Sequence, residues 1–234
     1  MSNSQILFQL EKQRDSLFEK LNNTSISALY LEQYREIKSG KIFVFDNQEG
    51  EMLNELKHLA EDKTFDIPFK NKLKEYTELN NEYLVNYFTN EFENIFAEIL
   101  LSNKQDEIQA VFIEYDYYYH FTSCILCYGK RDYPLIEEPR YIWNELSFIE
   151  PIFVIENGIN FEPSWISCQE FEKIDHLEID YELQNLFLLH SRTLLHKALF
   201  NLDAQKKLDF FHNKPFSFYI NEHDCEEMLF YRIN

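Results

Sequence analysis

The sequence predicts an α+β protein with a helical N-terminal part, followed by a mainly antiparallel sheet packed on a buried helix. Three observations carry this. Apolar residues recur at helical spacing through residues 1–105. The pattern switches to alternation and to β-branched and aromatic residues from about Ile108. A stretch apolar on nearly every side, Leu183 to Phe200, then returns to helical length among the later strands, which is the pattern of a central helix.

The elements follow in order. Ile6, Leu7, Leu10, Leu17, Phe18 and Leu21 form a helical stripe after Ser4, a residue suited to an N-cap. Ile26, Leu29, Tyr30, Tyr34 and Ile37 form a second stripe, closed by Gly40 as a C-terminal signal. Lys41 to Phe45 reads as a short strand. Met52, Leu53, Leu56, Leu59 and Ala60 make a compact helical face, and Pro68 punctuates the chain after it. Leu73, Tyr76, Leu84, Phe88, Phe92, Ile95, Phe96 and Ile99 are helical again, with Asn80-Asn81 as a break within a run too long for one globular helix. Val111–Tyr115 and Phe121–Tyr128 read as a hairpin whose tip falls within Asp116–His120. Ile152–Ile155 is a strand before the turn signal Asn157-Gly158. Pro215–Ile220 and Met228–Ile233 are two strands around a polar connection. One domain over 1–234 is expected, with 1–105 mainly helical and 106–234 sheet plus central helix as its subdivision.

Composition narrows the function classes. The 234 residues carry 22 Phe and 15 Tyr, too many for a disordered chain, and only four cysteines, too few for a disulfide scaffold. No stretch reaches the ~18 consecutive apolar residues of a membrane span. Met1 to Leu10 has no basic start or long apolar run, so no signal peptide is expected. A cytoplasmic setting then implies free thiols at Cys124, Cys127, Cys168 and Cys225. The formal net charge of −19 argues against nucleic acid and against anionic membranes, both of which call for a basic footprint. It fits a basic protein partner, or no charged partner at all, better.

The charge is concentrated. Between Glu150 and Glu182 nine acids face one base, Lys173, and they alternate with Phe153, Phe161, Trp165, Ile166 and Phe171. Aromatic anchors within steering charge are the ingredients of a protein interface. The partner-binding candidates are therefore Glu156, Glu162, Trp165, Glu170, Glu172, Asp175, Glu178 and Asp180. The alternative for this segment is a solvated acidic loop whose aromatics point inward.

Catalytic constellations are weaker. Cys124-Ile-Leu-Cys127 is a C-x-x-C, but within a strand its two thiols point to opposite faces, and no second ligand pair exists for a metal. His190 falls on the apolar side of the central helix and His196 on its more polar side. Ser191 cannot form a triad with an adjacent helical residue. His223, Asp224 and Cys225 share one loop, where turn chemistry accounts for them better than catalysis. Glu114, Asp116 and His120 would form a row on a straight strand, which the hairpin tip interrupts. Phosphate-cradling and hydrolase motifs are absent from the sequence, and its four glycines are isolated. No metal and no cofactor is expected.

A non-enzymatic acidic interaction protein that binds, and in doing so inhibits, a basic protein is the leading expectation. In composition alone the chain resembles bacterial immunity proteins, which block the basic active-site cleft of a cognate toxin. Small size, acidity, abundant aromatics and the missing catalytic signature carry that resemblance, and no motif does. The alternatives are a scaffolding subunit that uses the helical third, and a small-molecule hydrolase built on His190 or His223.

Overall fold

A computed structural model describes residues 2–41, 49–61, 66–116, 120–133, 150–164, 166, 179–222 and 228–234. The protein is α+β. Among the described residues there are six α-helices: α1 (Asn3–Asn22), α2 (Ile26–Lys38), α3 (Glu49–Glu61), α4 (Asp66–Thr77), α5 (Asn81–Leu101) and α6 (Ile179–Ala204). The strands are β1 (Ala110–Asp116), β2 (His120–Tyr128), β3 (Phe153–Ile155), β4 (Phe216–Glu222) and β5 (Met228–Ile233). None of the described helices is long and apolar enough to cross a membrane.

The chain divides into two compact units. A sheet unit comprises residues 1–13, 80–165 and 188–234, and a helical unit comprises 14–79 and 166–187. In the sheet unit the strand order is β3-β2-β1-β4-β5. β1–β2, β2–β3 and β4–β5 are antiparallel, while β1 and β4 are parallel, with Val111 opposite Phe218 and Ile113 opposite Ile220. One sheet face carries Val111, Ile113, Ile125, Phe216 and Phe218. α5 lays Phe92 and Phe96 against it, 6.4 and 6.2 Å from the Phe218 ring, and Phe211 packs 3.9 Å from Phe216. α6 meets the same face at β5, where His196 contacts the Tyr231 ring at 5.1 Å and Asp203 accepts from the Tyr231 hydroxyl at 2.8 Å. On the opposite face Phe112 stacks on Tyr219 at 4.6 Å.

Local chemistry sets the helix ends. α5 starts where its break falls, with the Asn80 side chain accepting from the Tyr83 N–H. α1 starts earlier than the periodicity suggests. Ser2, not Ser4, is the cap, and its N–H bonds back to Gln5 Oε1 while its hydroxyl accepts from the Gln5 N–H. Next to this cap the Asn3 carboxamide reaches edge strand β5. It accepts from the Arg232 N–H at 3.0 Å and donates to the Arg232 carbonyl at 2.8 Å.

In the helical unit α2 packs along α3. α2 ends at Gly40, whose φ of +74° allows Lys41 N–H to reach the Glu36 carbonyl and Gly40 N–H the Ile37 carbonyl. Pro68 lies in the first turn of α4, where its missing N–H leaves no helical bond unmade. The Asp66 carboxylate, also in that turn, sits on the N-terminus of α2. It accepts from Ile26 N–H at 2.7 Å and from the Ser25 and Ser27 hydroxyls at 3.2 and 2.9 Å. Tyr76 joins Phe18 to Phe187 with ring separations of 5.3 and 6.0 Å. The strand expected over Lys41–Phe45 lies, beyond Lys41, outside the described residues.

Candidate functional site

The acidic stretch splits its two residue classes by burial. Glu156 and Glu162 are exposed, and neither makes an ion pair among the described residues. Phe161, by contrast, is a core residue, 5.9 Å from Phe88 and 5.7 Å from Tyr115, and Ile166 is buried. Phe161 and Ile166 therefore point inward, as the alternative for this segment has it. Trp165, Glu170, Glu172, Asp175 and Glu178 lie outside the described residues. Asp180 is placed only as backbone in the first turn of α6. Glu182, in the helical unit, pairs with Lys20.

Residues 153–160 run along the edge of β2. Ile155 pairs with Ile125, Gly158 N–H donates to the Ser123 carbonyl, and Asn160 bridges Thr122. This course sets Glu156 beside Cys124 and Glu114, whose charges add to burial in raising the Cys124 thiol above its ordinary value. At the far end Asn160 N–H donates to Glu91 Oε2 at 3.0 Å, which ties the segment to α5. There Tyr83, 57% exposed, stacks on Tyr87 at 6.4 Å. Burial, then the Glu91 charge and a hydrogen bond to it, then Tyr83 and Glu162, push the Tyr87 hydroxyl up to about 12. Tyr83, Tyr87 and Glu91 belong to a different element from the acidic stretch, and only the exposed positions of α5's helical pattern hint at them.

The sheet unit also holds a cleft of about 630 Å³ between the first turns of α1, the first turns of α5 and the later part of α6. Leu7 and Phe8 come from α1, Val85 from α5 and Phe200 from α6. Phe8 is 66% and Phe200 53% exposed, unusual for phenylalanine. Lys197 is paired with Glu11 at 2.8 Å, while Glu82 has no ion-pair partner among the described residues. His196 contributes to the wall. It is buried, contrary to the expectation of a more polar setting, because α6 is enclosed on this side by β5 and the start of α1. Burial drives its pKa down to about 4, against weaker upward pulls from the Asn3 carbonyl and Glu11. The neutral ring donates from Nε2 to the Asn3 carbonyl at 3.0 Å, which leaves Nδ1 an acceptor without a partner among the described residues.

The other chemical candidates that fall among the described residues stay apart. Cys127 is buried, and burial pushes its thiol up to about 12, so it is no thiolate at neutral pH. Cys124 lies opposite Glu114 on the other sheet face. Cys168, His223, Asp224 and Cys225 lie outside the described residues, as do the side chains of Asp116 and His120. His190 is buried on α6. Ser191 shares a buried hydroxyl hydrogen bond of 2.8 Å with Ser164. His212 pairs with Asp106 at 2.7 Å in an exposed position, a pairing across 106 residues that sequence spacing could not show. In comparisons with known proteins, no family model, no curated protein and no solved structure matches this chain.

Proposed function

We propose that this chain is a non-enzymatic interaction protein, working in the cytoplasm, that captures a basic protein partner on the acidic surface of its sheet unit. The observation that supports this best is the separation at residues 156–162, where Glu156 and Glu162 stay exposed and without an ion pair among the described residues while Phe161 is buried. Glu162 beside Tyr87, and Glu156 at the Cys124 end of the same segment, raise the encounter rate with a cationic surface, and Tyr83 and Tyr87 leave aromatic area to anchor it. Neutralising a partner's basic cleft, in the manner of an immunity protein, is the form such capture takes.

The scaffolding alternative needs exposed aromatic stripes on the helical third. Phe69, Phe88, Phe92 and Phe96 are buried, and the exposed Tyr83 with its neighbour Tyr87 makes one pair there rather than a stripe. The hydrolase alternative needs a reactive histidine. That alternative rests on His190 or His223: His190 is buried on α6, and His223 lies outside the described residues.

The test is affinity capture at low salt, purification of the basic protein recovered, and measurement of its association rate. That rate should fall steeply as salt rises, and a Glu156→Lys, Glu162→Lys double variant should lower it about tenfold, the scale of electrostatic steering. Association equally fast in the double variant and in high salt would rule this surface out.

A further inference from the structure

We propose that the three-helix cleft of the sheet unit is an anchor pocket for an arginine side chain carried by the basic protein partner, and this rests on the function proposed above. The dimensions suit it. About 630 Å³ lies within the ~300–1,000 Å³ range of sites that enclose a compact group rather than a whole helix. Its walls are of two kinds. Phe8 and Phe200 leave more than half of their surface open, and Leu7 and Val85 are half-buried beside them. Exposed rings and aliphatic side chains together match the methylene stem of arginine and the flat face of its guanidinium, which stacks on aromatic rings where an ammonium cannot.

The charges select the same group. Lys197 is neutralised by Glu11 at 2.8 Å, and among the described residues lining the cleft Glu82 is the carboxylate left unpaired. The imidazole in the wall adds no opposing charge, because burial keeps it neutral while Nε2–H donates to the Asn3 carbonyl. An entering cation therefore meets a net negative lining in a chain of net charge −19. An anionic ligand would meet Glu82 unscreened, and a purely apolar one would leave that carboxylate partly desolvated without a partner.

The experiment titrates the full chain with the blocked peptide acetyl-Ala-Leu-Arg-Leu-Ala-amide and with its citrulline counterpart, which keeps the planar shape but lacks the charge and carries a carbonyl acceptor in place of one NH2 donor. The arginine peptide should bind at least about tenfold more tightly, with shift changes at the Leu7 and Val85 methyl groups. Phe8→Ala, Phe200→Ala and Glu82→Gln should each weaken it about five- to tenfold, and their melting temperatures should stay close to that of the parent because all three side chains are exposed. Glu156→Lys with Glu162→Lys should leave peptide affinity unchanged. Equal binding of the citrulline peptide, or full affinity in the three cleft variants, overturns the pocket. If the pocket fails while the Glu156/Glu162 variant still slows the protein partner, the acidic-surface function stands alone. If peptide binding holds while that variant is inert, the pocket stands and the acidic surface falls.

Discussion

In the sheet unit Phe92, Phe96, Phe211, Phe216, Phe218 and Phe230 are all buried around one sheet face, with Phe218 within 6.4 Å of the centroids of the other five. The helical unit buries a sparser set, including Tyr30, Leu56, Phe69 and Leu73, and joins α2 to α4 through one carboxylate, Asp66. The first arrangement spreads its stability over many dispersion contacts and transferred area. The second places much of a helix junction on a few charge-assisted hydrogen bonds. Each half is thus vulnerable to a different loss: of volume in the sheet unit, of charge in the helical unit.

The sharpest way to break this contrast is Phe218→Ala. Its ring touches six aromatic neighbours, and the cavity should cost about 3–5 kcal/mol in denaturant unfolding, with hydrogen-exchange protection falling first in β1, β4 and β5. A loss below about 1 kcal/mol would mean the aromatic cluster is not the keystone of that unit.

Next in size is the response to pH at His196. Its folded pKa of about 4 lies below the ordinary 6.5, so the unfolded chain binds the proton more readily. Its contribution is fully present above about pH 6.5 and is lost as pH falls toward 4, a change on the order of 2–3 kcal/mol. Urea unfolding at pH 7.5 and at pH 4 measures it, and His196→Asn should flatten the slope. Asp66 behaves differently. Partial burial alone would raise its pKa, yet hydrogen bonds from Ser27, Ile26 and Ser25 hold it below 3.8, so the helical unit loses this contribution only at still lower pH. Exchange protection at pH 4.5 should therefore fall in α6 near His196 before it falls in α2.

Gly158→Ala sharpens the packing side of the contrast. A methyl group there would stand 2.5 Å from Ile125 Cγ1 and 2.9 Å from Ser123 Oγ, for about 2 kcal/mol of overpacking seen as a lower melting temperature. The smallest effect expected is Asp66→Asn, about 1 kcal/mol, read as faster exchange at Ile26 and Ser27 with the sheet amides unchanged.

Much of this architecture was legible from the residues. α5 could be read because Leu84, Phe88, Phe92, Ile95, Phe96 and Ile99 fall on one face and Asn80 offers a cap. The hairpin strands could be read from alternation. The parallel pairing of β1 with β4 could not, since it joins positions 107 residues apart, such as Val111 with Phe218, and no local pattern encodes it. Gly158 was visible as a turn signal, but the close approach of β2 makes the residue necessary there. His196 was misplaced because on a helix as apolar as α6 the period no longer separates inside from outside. The acidic surface was visible as composition. The cleft was not, because Phe8, Glu82 and Phe200 lie on three helices far apart in the chain and each alone reads as an ordinary surface residue.

The Asn3 carboxamide engages both backbone groups of Arg232 on an outer strand, as a neighbouring strand would. A single side chain thus plugs a site at which another molecule's extended segment could otherwise add on. A version of the protein trimmed past Asn3 would expose that rung, and self-association in register along β5 is the first fault to look for in it.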